Sequence, residues 1–492
     1  MTKTLIYSNT GLTSWQIGIN TEVIDQLNIE DREILIINCD ATLPNCYFNQ
    51  THNPIGCALC QSRQKVLLKQ AGISEQQIDN LKPYEIDKSL CDVHFDTLKD
   101  LMQYSIDNTN IGRGVASSII SYTRDYKIHS GKYGRLIETE IKKSITVLYN
   151  FQRFIKDFQP DEIYLFNGRF SEVWPVLQLA EKHNIKYFCI EAGSPGKYEL
   201  FENSLPHSIK ERHQTISQLW NEGEKQKILE GEQWFKKRRF RTNTGEIQFT
   251  SGQEKDKIPL WFDTSKKNIV LFNSSEDELK AIQEWAVDFF DNQNEAIKCI
   301  VEHFSDKPDY QFILRVHPNL SKVNNAQLDE INTFNYANLK IIGPDEDIDT
   351  YKLMDIADKV ISFGSTTGIE ATFWGATSIL FGKSFYMHLD AAYQPNSYKS
   401  LYNLIQDSSL APKNKENTLP YGHYMLKYGS SPYNFSVDQK GDKYYKNSKI
   451  KKFYPRAISL FIQYLPKSRN YFSLAKILYG KFGWLNILRF KT

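Results

Sequence analysis

Short apolar runs recur along this chain, and most end in a polar turn followed by a longer stretch of mixed helical character. Runs of that length bounded by turn residues are read as buried strands. Residues 4–7 form the first, closed by Ser8-Asn9-Thr10-Gly11, and residues 33–38 the second. Residues 22–27 look helical. Residues 138–158 read as a long helix. Strand 162–166 follows and ends in Asn167-Gly168-Arg169, then a helix over 174–183, then strand 186–190 ending in Glu191-Ala192-Gly193. This rhythm predicts an α/β fold with a parallel, doubly wound sheet. A second series comprises runs at 268–272, 310–316, 339–342, 359–363 and 377–381. Between the series, residues 205–262 are rich in charge and Gln. They hold the basic cluster Lys236, Lys237, Arg238, Arg239 and Arg241, and are expected to link and brace the halves. Residues 391–440 are rich in Tyr, Asn, Ser and Pro and are expected to be mostly loop. The domains expected are 1–262, with an insertion at 39–130, then 263–430, then a terminal segment 431–492.

Two strand ends in the second series carry candidate chemistry. The run at 359–363 leads into Gly364-Ser365-Thr366-Thr367-Gly368 and a helix opening at Ile369-Glu370. Glycines let a phosphate approach the backbone, hydroxyls donate to its oxygens, and helix starts attract anions. The alternative is a plain strand-to-helix turn with Ser or Thr as N-cap. The run at 310–316 ends in His317-Pro318, where Pro318 stops pairing and holds His317 at the strand's carboxyl edge. Ligands of open α/β sheets bind at such edges. Alternation puts Arg315 on the same side as His317. Asp345-Glu346-Asp347 resembles an acidic metal motif, but with Asp349 just before a helix it reads better as capping.

Charge adds an asymmetry that the net +2 hides. Residues 443–492 hold twelve Lys or Arg and no Asp or Glu, leaving 48 basic against 58 acidic residues elsewhere. Aromatics are interleaved through this tail, which suits an anionic membrane surface. The acidic remainder and the lack of a recognised motif argue against nucleic acid. No window approaches a membrane span and the start lacks a signal-peptide pattern. The expectation is a cytoplasmic protein, peripheral on the inner face of the membrane.

Four of the seven cysteines, Cys39, Cys46, Cys57 and Cys60, follow the spacing C-x6-C-x10-C-x2-C. The last pair has the spacing of a metal knuckle, so a structural zinc held by four thiolates is expected. His52 and Cys91 are substitutes. An iron–sulfur cluster and four reduced thiols are the alternatives.

The segments RVHP and ISFGSTTGIEATFWGATSILFGKSFY resemble those of bacterial capsule and surface-polysaccharide glycosyltransferases, including Kdo-transferring ones. The resemblance covers roughly half the chain, strongest over 310–390. It implies a GT-B fold: two Rossmann-like doubly wound domains facing a cleft, here with a basic aromatic C-terminal segment. It implies metal-independent transfer from a nucleotide-sugar donor (CMP-Kdo-like, or a UDP- or GDP-sugar) to a capsule, lipopolysaccharide or lipid-linked glycan, with no cofactor. Arg315, His317, Pro318, Gly364, Ser365, Thr366, Thr367, Gly368 and Glu370 are then the donor site, with Glu370 accepting ribose or sugar hydroxyls. Glu191 is the candidate base, with His317 also catalytic and Asp40 a second acid. Gly11, Asn167 and Arg169 are assigned to the acceptor, Gly11 by leaving space for it. A CDP-glycerol-type glycerophosphotransferase and a non-catalytic GT-B scaffold are the other readings.

Overall fold

The structure is a computed structural model that describes residues 1–28, 31–242 and 248–450. Its contacts divide into two units. Unit 1 comprises the described parts of residues 1–122, 128–206 and 429–450, and unit 2 comprises Thr123–Lys127 and His207–Tyr428.

Unit 1 runs β1 (Thr2–Ser8), α1 (Ser14–Leu27), β2 (Arg32–Asn38), α2 (Pro54–Gln70), β3 (Ile78–Asn80), α3 (Leu98–Gln103), a hairpin of β4 (Ser105–Ile106) and β5 (Thr109–Asn110), α4 (Gly112–Thr123), α5 (Ser130–Phe158), β6 (Glu162–Phe166), α6 (Trp174–Lys182), β7 (Lys186–Ala192) and β8 (Tyr198–Glu202). The sheet order is β3-β2-β1-β6-β7-β8, parallel except for the antiparallel β7–β8 pair. Its strand order reverses between β1 and β6, which sets a switch point there. One face packs Ile6, Ile34, Ile36 and Ile190 against Ile17, Val23 and Ile24 of α1 and Leu67 and Leu68 of α2. On the other face Tyr7 meets Phe151 of α5 edge-on.

Unit 2 runs α7 (Ile209–Glu222), α8 (Lys227–Arg239), β9 (Lys267–Phe272), α9 (Gln293–His303), β10 (Tyr310–Arg315), α10 (Ala326–Ile331), β11 (Leu339–Ile342), α11 (Thr350–Ile356), β12 (Lys359–Ser362), α12 (Thr367–Phe373), β13 (Ser378–Leu380), α13 (Tyr398–Gln406) and α14 (Leu419–Lys427). Its sheet, β11-β10-β9-β12-β13, is parallel throughout. The strands are apolar on both faces because both are covered. Leu271, Phe312 and Leu314 pack against Ile297, Ile300 and Val301 of α9. Val270, Phe272 and Ile313 pack against Leu353 and Met354 of α11. The fold class expected from the sequence, α/β with two doubly wound parallel sheets, is the one observed, save that β8 joins the first sheet antiparallel.

Two boundaries differ from the sequence reading. Residues 207–262 belong with unit 2, because Trp234 and Phe235 of α8 are buried with Phe373, Leu419 and Tyr421 of that unit. The basic cluster at the end of α8 and just beyond it braces this unit: Arg239 pairs with Asp355 and Arg241 with Asp349. The terminal segment also begins as part of unit 1. Residues 435–449 form the small sheet β14 (Phe435–Val437), β15 (Lys443–Tyr445) and β16 (Ser448–Lys449). Glu22 of α1 accepts the N–H groups of Tyr433, Asn434 and Phe435 at 2.7, 2.8 and 3.0 Å. The rest of the basic aromatic segment, 451–492, lies outside the described residues. Among the described residues no helix is long and apolar enough to cross a membrane.

Candidate functional site

In unit 2 the strand order reverses between β9 and β12, so that sheet's switch point lies at their carboxyl ends. Asn273 follows β9 there, the 364–368 loop follows β12, and His317 follows the neighbouring β10. Asn273 Oδ1 accepts the backbone N–H of His317 at 2.8 Å. The two features singled out from sequence therefore flank one strand end.

His317 is held in a defined state. Its Nδ1 accepts the N–H of Asn319 at 3.1 Å, which leaves the ring proton on Nε2. Burial, then the charges of Arg315 and Arg124, lower its pKa to about 4, with Asp277 opposing and Arg238 adding to the fall. At neutral pH it is an uncharged donor. The sequence left both protonation states open; desolvation decides for the neutral one. Phe249 lies edge-on to the ring, with centroids 5.0 Å apart.

Arg315 is only 2% exposed and its guanidinium is turned to backbone, donating to the carbonyls of Gly343 and of Glu346, the latter at 2.9 Å. Burial lowers its pKa to about 10. It lends positive potential to His317 while tying down the turn after β11.

The loop's geometry has physical causes. Gly364 has φ +117°, and a Cβ there would lie 2.6 Å from the Lys383 carbonyl. A Cβ on Gly368 would meet the hydroxyls of Ser362 and Tyr386 at 2.3 and 2.4 Å. Tyr386 donates to the Ser365 carbonyl at 2.8 Å, and the Ser365 hydroxyl accepts the Thr367 N–H at 3.3 Å. The Thr367 hydroxyl is buried without a partner. Thr366 is occupied: its hydroxyl donates to Glu370 Oε1 at 2.9 Å.

Glu370 departs from the role given to it. It is 1% exposed, and besides Thr366 it takes Arg238 Nε at 3.1 Å and the Tyr351 hydroxyl at 2.5 Å. A carboxylate so engaged fixes the loop and has little left for sugar hydroxyls. α11 is capped by Asp349, through the N–H groups of Tyr351 and Lys352, while the acidic run before it bonds elsewhere: Asp347 pairs with Lys257 at 2.7 Å and Glu346 accepts the Gly343 N–H at 2.5 Å.

Asn273, Arg124, Arg238 and Asp277 complete this region and were missed from sequence. Arg124 bonds Asp277 and the Ser275 hydroxyl, the latter at 2.9 Å. Asn273 was findable, because it directly follows a strand. Arg124 had no local signal, lying far from the second strand series. Beside it Glu276, 9% exposed, has its pKa raised to about 7, mainly by burial, and its Oε2 has no partner.

In unit 1, Asn167 and Glu191 meet at the carboxyl ends of the adjacent strands β6 and β7. Asn167 Nδ2 donates to Glu191 Oε2 at 2.6 Å, and the Ala192 N–H donates to Oε1 at 2.9 Å. Asn167 has φ +58° and Gly168 φ +91°; a Cβ on Gly168 would strike Cys189 Sγ at 2.7 Å. Arg169 donates to the hydroxyls of Ser117 and Ser121 at 3.3 and 3.1 Å. Gly11 makes room for protein, contrary to expectation: a Cβ there would lie 2.6 Å from the Cys60 carbonyl and 2.7 Å from its Sγ.

Of the four expected metal thiols, Cys60 lies at that point. All are free cysteines and all are half-buried. Burial pushes Cys39 to about 11 and both Cys46 and Cys57 to about 12, with Cys60 also raised. Among the described residues, however, no group of three or more His, Cys, Asp or Glu is placed to hold one metal ion. The tetrahedral zinc shell read from the spacing is not assembled.

No protein-family description matches the chain, and no curated protein does. Solved structures give distant likenesses. KpsC of Thermosulfurimonas dismutans, a beta Kdo 2,4 transferase, is 13% identical over 61% of this chain and 86% of its own, with a TM-score of 0.37. The S. aureus MnaA–UDP structure is 12% identical over 88% and 93%, with a TM-score of 0.28. A Methanocaldococcus jannaschii UDP-GlcNAc 2-epimerase with UDP-GlcNAc and UDP is 13% identical over 86% and 98%, at 0.27. At these scores none of them bears on what this chain does.

Proposed function

We propose that the chain is a glycosyltransferase that takes a sugar from a nucleotide donor held by unit 2 and passes it to a surface glycan. The observation that carries this reading is the convergence of His317, Asn273 and the Gly364–Gly368 loop on the switch point of the second sheet. In this reading His317 Nε2–H donates to a donor phosphate oxygen, uncharged, while Arg315, Arg124 and Arg238 supply positive potential around it. Ser365 and Thr367 offer hydroxyls, and the glycines keep side chains out of the phosphate's path.

Deprotonating the acceptor falls to Glu191. Asn167 and the Ala192 N–H hold its carboxylate in one orientation. As the acceptor hydroxyl attacks the anomeric carbon, its proton passes to Glu191 and the nucleotide leaves with the bonding electrons. The donor classes are CMP-Kdo-like sugars and UDP- or GDP-sugars. The acceptor proposed is a capsule, lipopolysaccharide or lipid-linked glycan at an anionic membrane surface, in keeping with the basic composition of residues 443–492.

The test is turnover with purified full-length chain and a panel of nucleotide sugars, read as nucleotide release that depends on added glycan. Release from at least one donor, lost in Glu191→Gln with nucleotide affinity kept, supports the reading. Release of CMP from CDP-glycerol alone would replace it with glycerophosphate transfer.

A further inference from the structure

The chain leaves β9 as Asn273-Ser274-Ser275, a turn pinned by buried side chains. The Ser274 N–H donates to Gln293 Oε1 at 2.8 Å, and its hydroxyl accepts from Gln293 Nε2 at 2.7 Å. The Ser274 carbonyl accepts from Gln327 Nε2 at 2.8 Å. The Ser275 hydroxyl takes Arg124 at 2.9 Å and donates to Asp277. Gln293 and Gln327 are themselves buried, so the network holds the turn in one conformation.

Asn273 is the exception within it. The residue is 1% exposed. Its Oδ1 accepts the His317 N–H, and only an oxygen can accept there, so the orientation of the amide is fixed. Nδ2 is then a buried donor without a partner. A buried donor left unmet is costly, and native interiors keep few of them. In a turn whose neighbouring groups are matched, that cost points to a partner from outside the chain.

Strand register places this partner. Phe272 stands opposite Arg315 of β10 and Ser362 of β12. The next residue, Asn273, therefore comes between those two strands, just short of His317 and Gly364. An amide N–H can only donate, so the partner must bring an acceptor. His317 likewise presents a donor there, and the charges of Arg315 and Arg124 bear on it. Two donors in positive potential favour an anionic oxygen over a hydroxyl or a neutral carbonyl.

We propose that Asn273 Nδ2 donates to a phosphate oxygen of the nucleotide and so selects for phosphate at this strand end. The proposal rests on the reading of unit 2 as a nucleotide site, and it adds a residue that reads the phosphate while its other amide atom holds the His317 backbone.

Two substitutions separate this role from a merely structural one. Asn273→Asp keeps an oxygen for the His317 N–H but sets a carboxylate oxygen, which repels phosphate, in place of the Nδ2 donor. Asn273→Ala loses both. If Asn273 only held His317, the second variant would bind worse than the first. The experiment is titration calorimetry of the full-length chain and both variants with CMP, CDP, UDP and GDP. For each nucleotide that the unaltered chain binds, the expected loss is about tenfold or more in Asn273→Asp and smaller in Asn273→Ala. Affinity within about twofold of the unaltered chain in Asn273→Asp, or a greater loss in Asn273→Ala, overturns the proposal and leaves the nucleotide reading standing. An unaltered chain that binds none of the four removes the reading and the proposal together. Should Asn273→Asp fail to fold, Asn273→Ala decides: a loss of affinity supports the proposal and an equal affinity overturns it.

Discussion

At the scale of single residues, the proposed donor site turns on what burial does to charge. His317 is kept neutral with its proton on Nε2, so it works as a directed donor. We expect His317→Ala to weaken nucleotide binding about tenfold, since a hydrogen bond to a charged group contributes roughly 1.5 kcal/mol or more. His317→Gln, which can still present an N–H, should lose less; titration calorimetry of both variants checks this. Glu191→Gln should lower turnover by about a hundredfold or more while leaving nucleotide affinity unchanged. Full turnover in that variant would remove Glu191 as the base. Glu276 gives a stability test with a fixed sign. Its pKa rises from 4.5 to about 7 on folding, so the folded chain holds the extra proton between those values. Its contribution is complete below pH 4.5 and lost as pH rises through 7. His317 shifts the other way, and its effect is confined to pH below about 6.5. Melting temperature should therefore fall between pH 6.5 and 8.5 in the unaltered chain and fall less in Glu276→Gln. An unchanged slope would mean that Glu276 does not titrate there.

At the scale of elements, the strands were legible because a buried parallel strand is a short apolar run whatever surrounds it. Residues 162–166 and 339–342 coincide with β6 and β11. Helices in polar, aromatic sequence were not legible. α8 and α14 bury Trp234, Phe235, Leu419 and Tyr421 among neighbours supplied by tertiary contact, so their sequences show charge and loop-like residues first. The placement of candidate residues was legible where a strand end marked it, as at His317, Asn167 and Glu191. They were misjudged where a partner far along the chain takes the group, as Arg238 and Tyr351 do for Glu370, and Cys60 for the space at Gly11. The docking of residues 433–435 on α1 is another such contact. One carboxylate there gathers three backbone N–H groups, so Glu22→Gln should destabilise unit 1 by about 2 kcal/mol. Denaturant unfolding followed by Trp fluorescence measures it, and a cost near zero would contradict the account.

At the scale of the whole molecule, the chain joins two doubly wound sheets, each with candidate groups at its carboxyl edge. The twelve basic residues of 443–492 have no acidic neighbours within that segment. Deleting 451–492 should therefore abolish sedimentation with anionic vesicles at low salt and leave nucleotide binding intact. Retained vesicle binding would move the membrane contact elsewhere. The central claim is that a nucleotide seats at the switch point of unit 2. The measurement that tests it most directly is a thermal-shift titration of the unaltered chain and His317→Ala with CMP, CDP, UDP and GDP. A ligand that binds only the folded state raises the melting temperature by mass action. We expect at least one nucleotide to stabilise the unaltered chain, and His317→Ala to need about ten times more of it for the same shift. No response to any of the four, or an equal response in both proteins, would contradict the account.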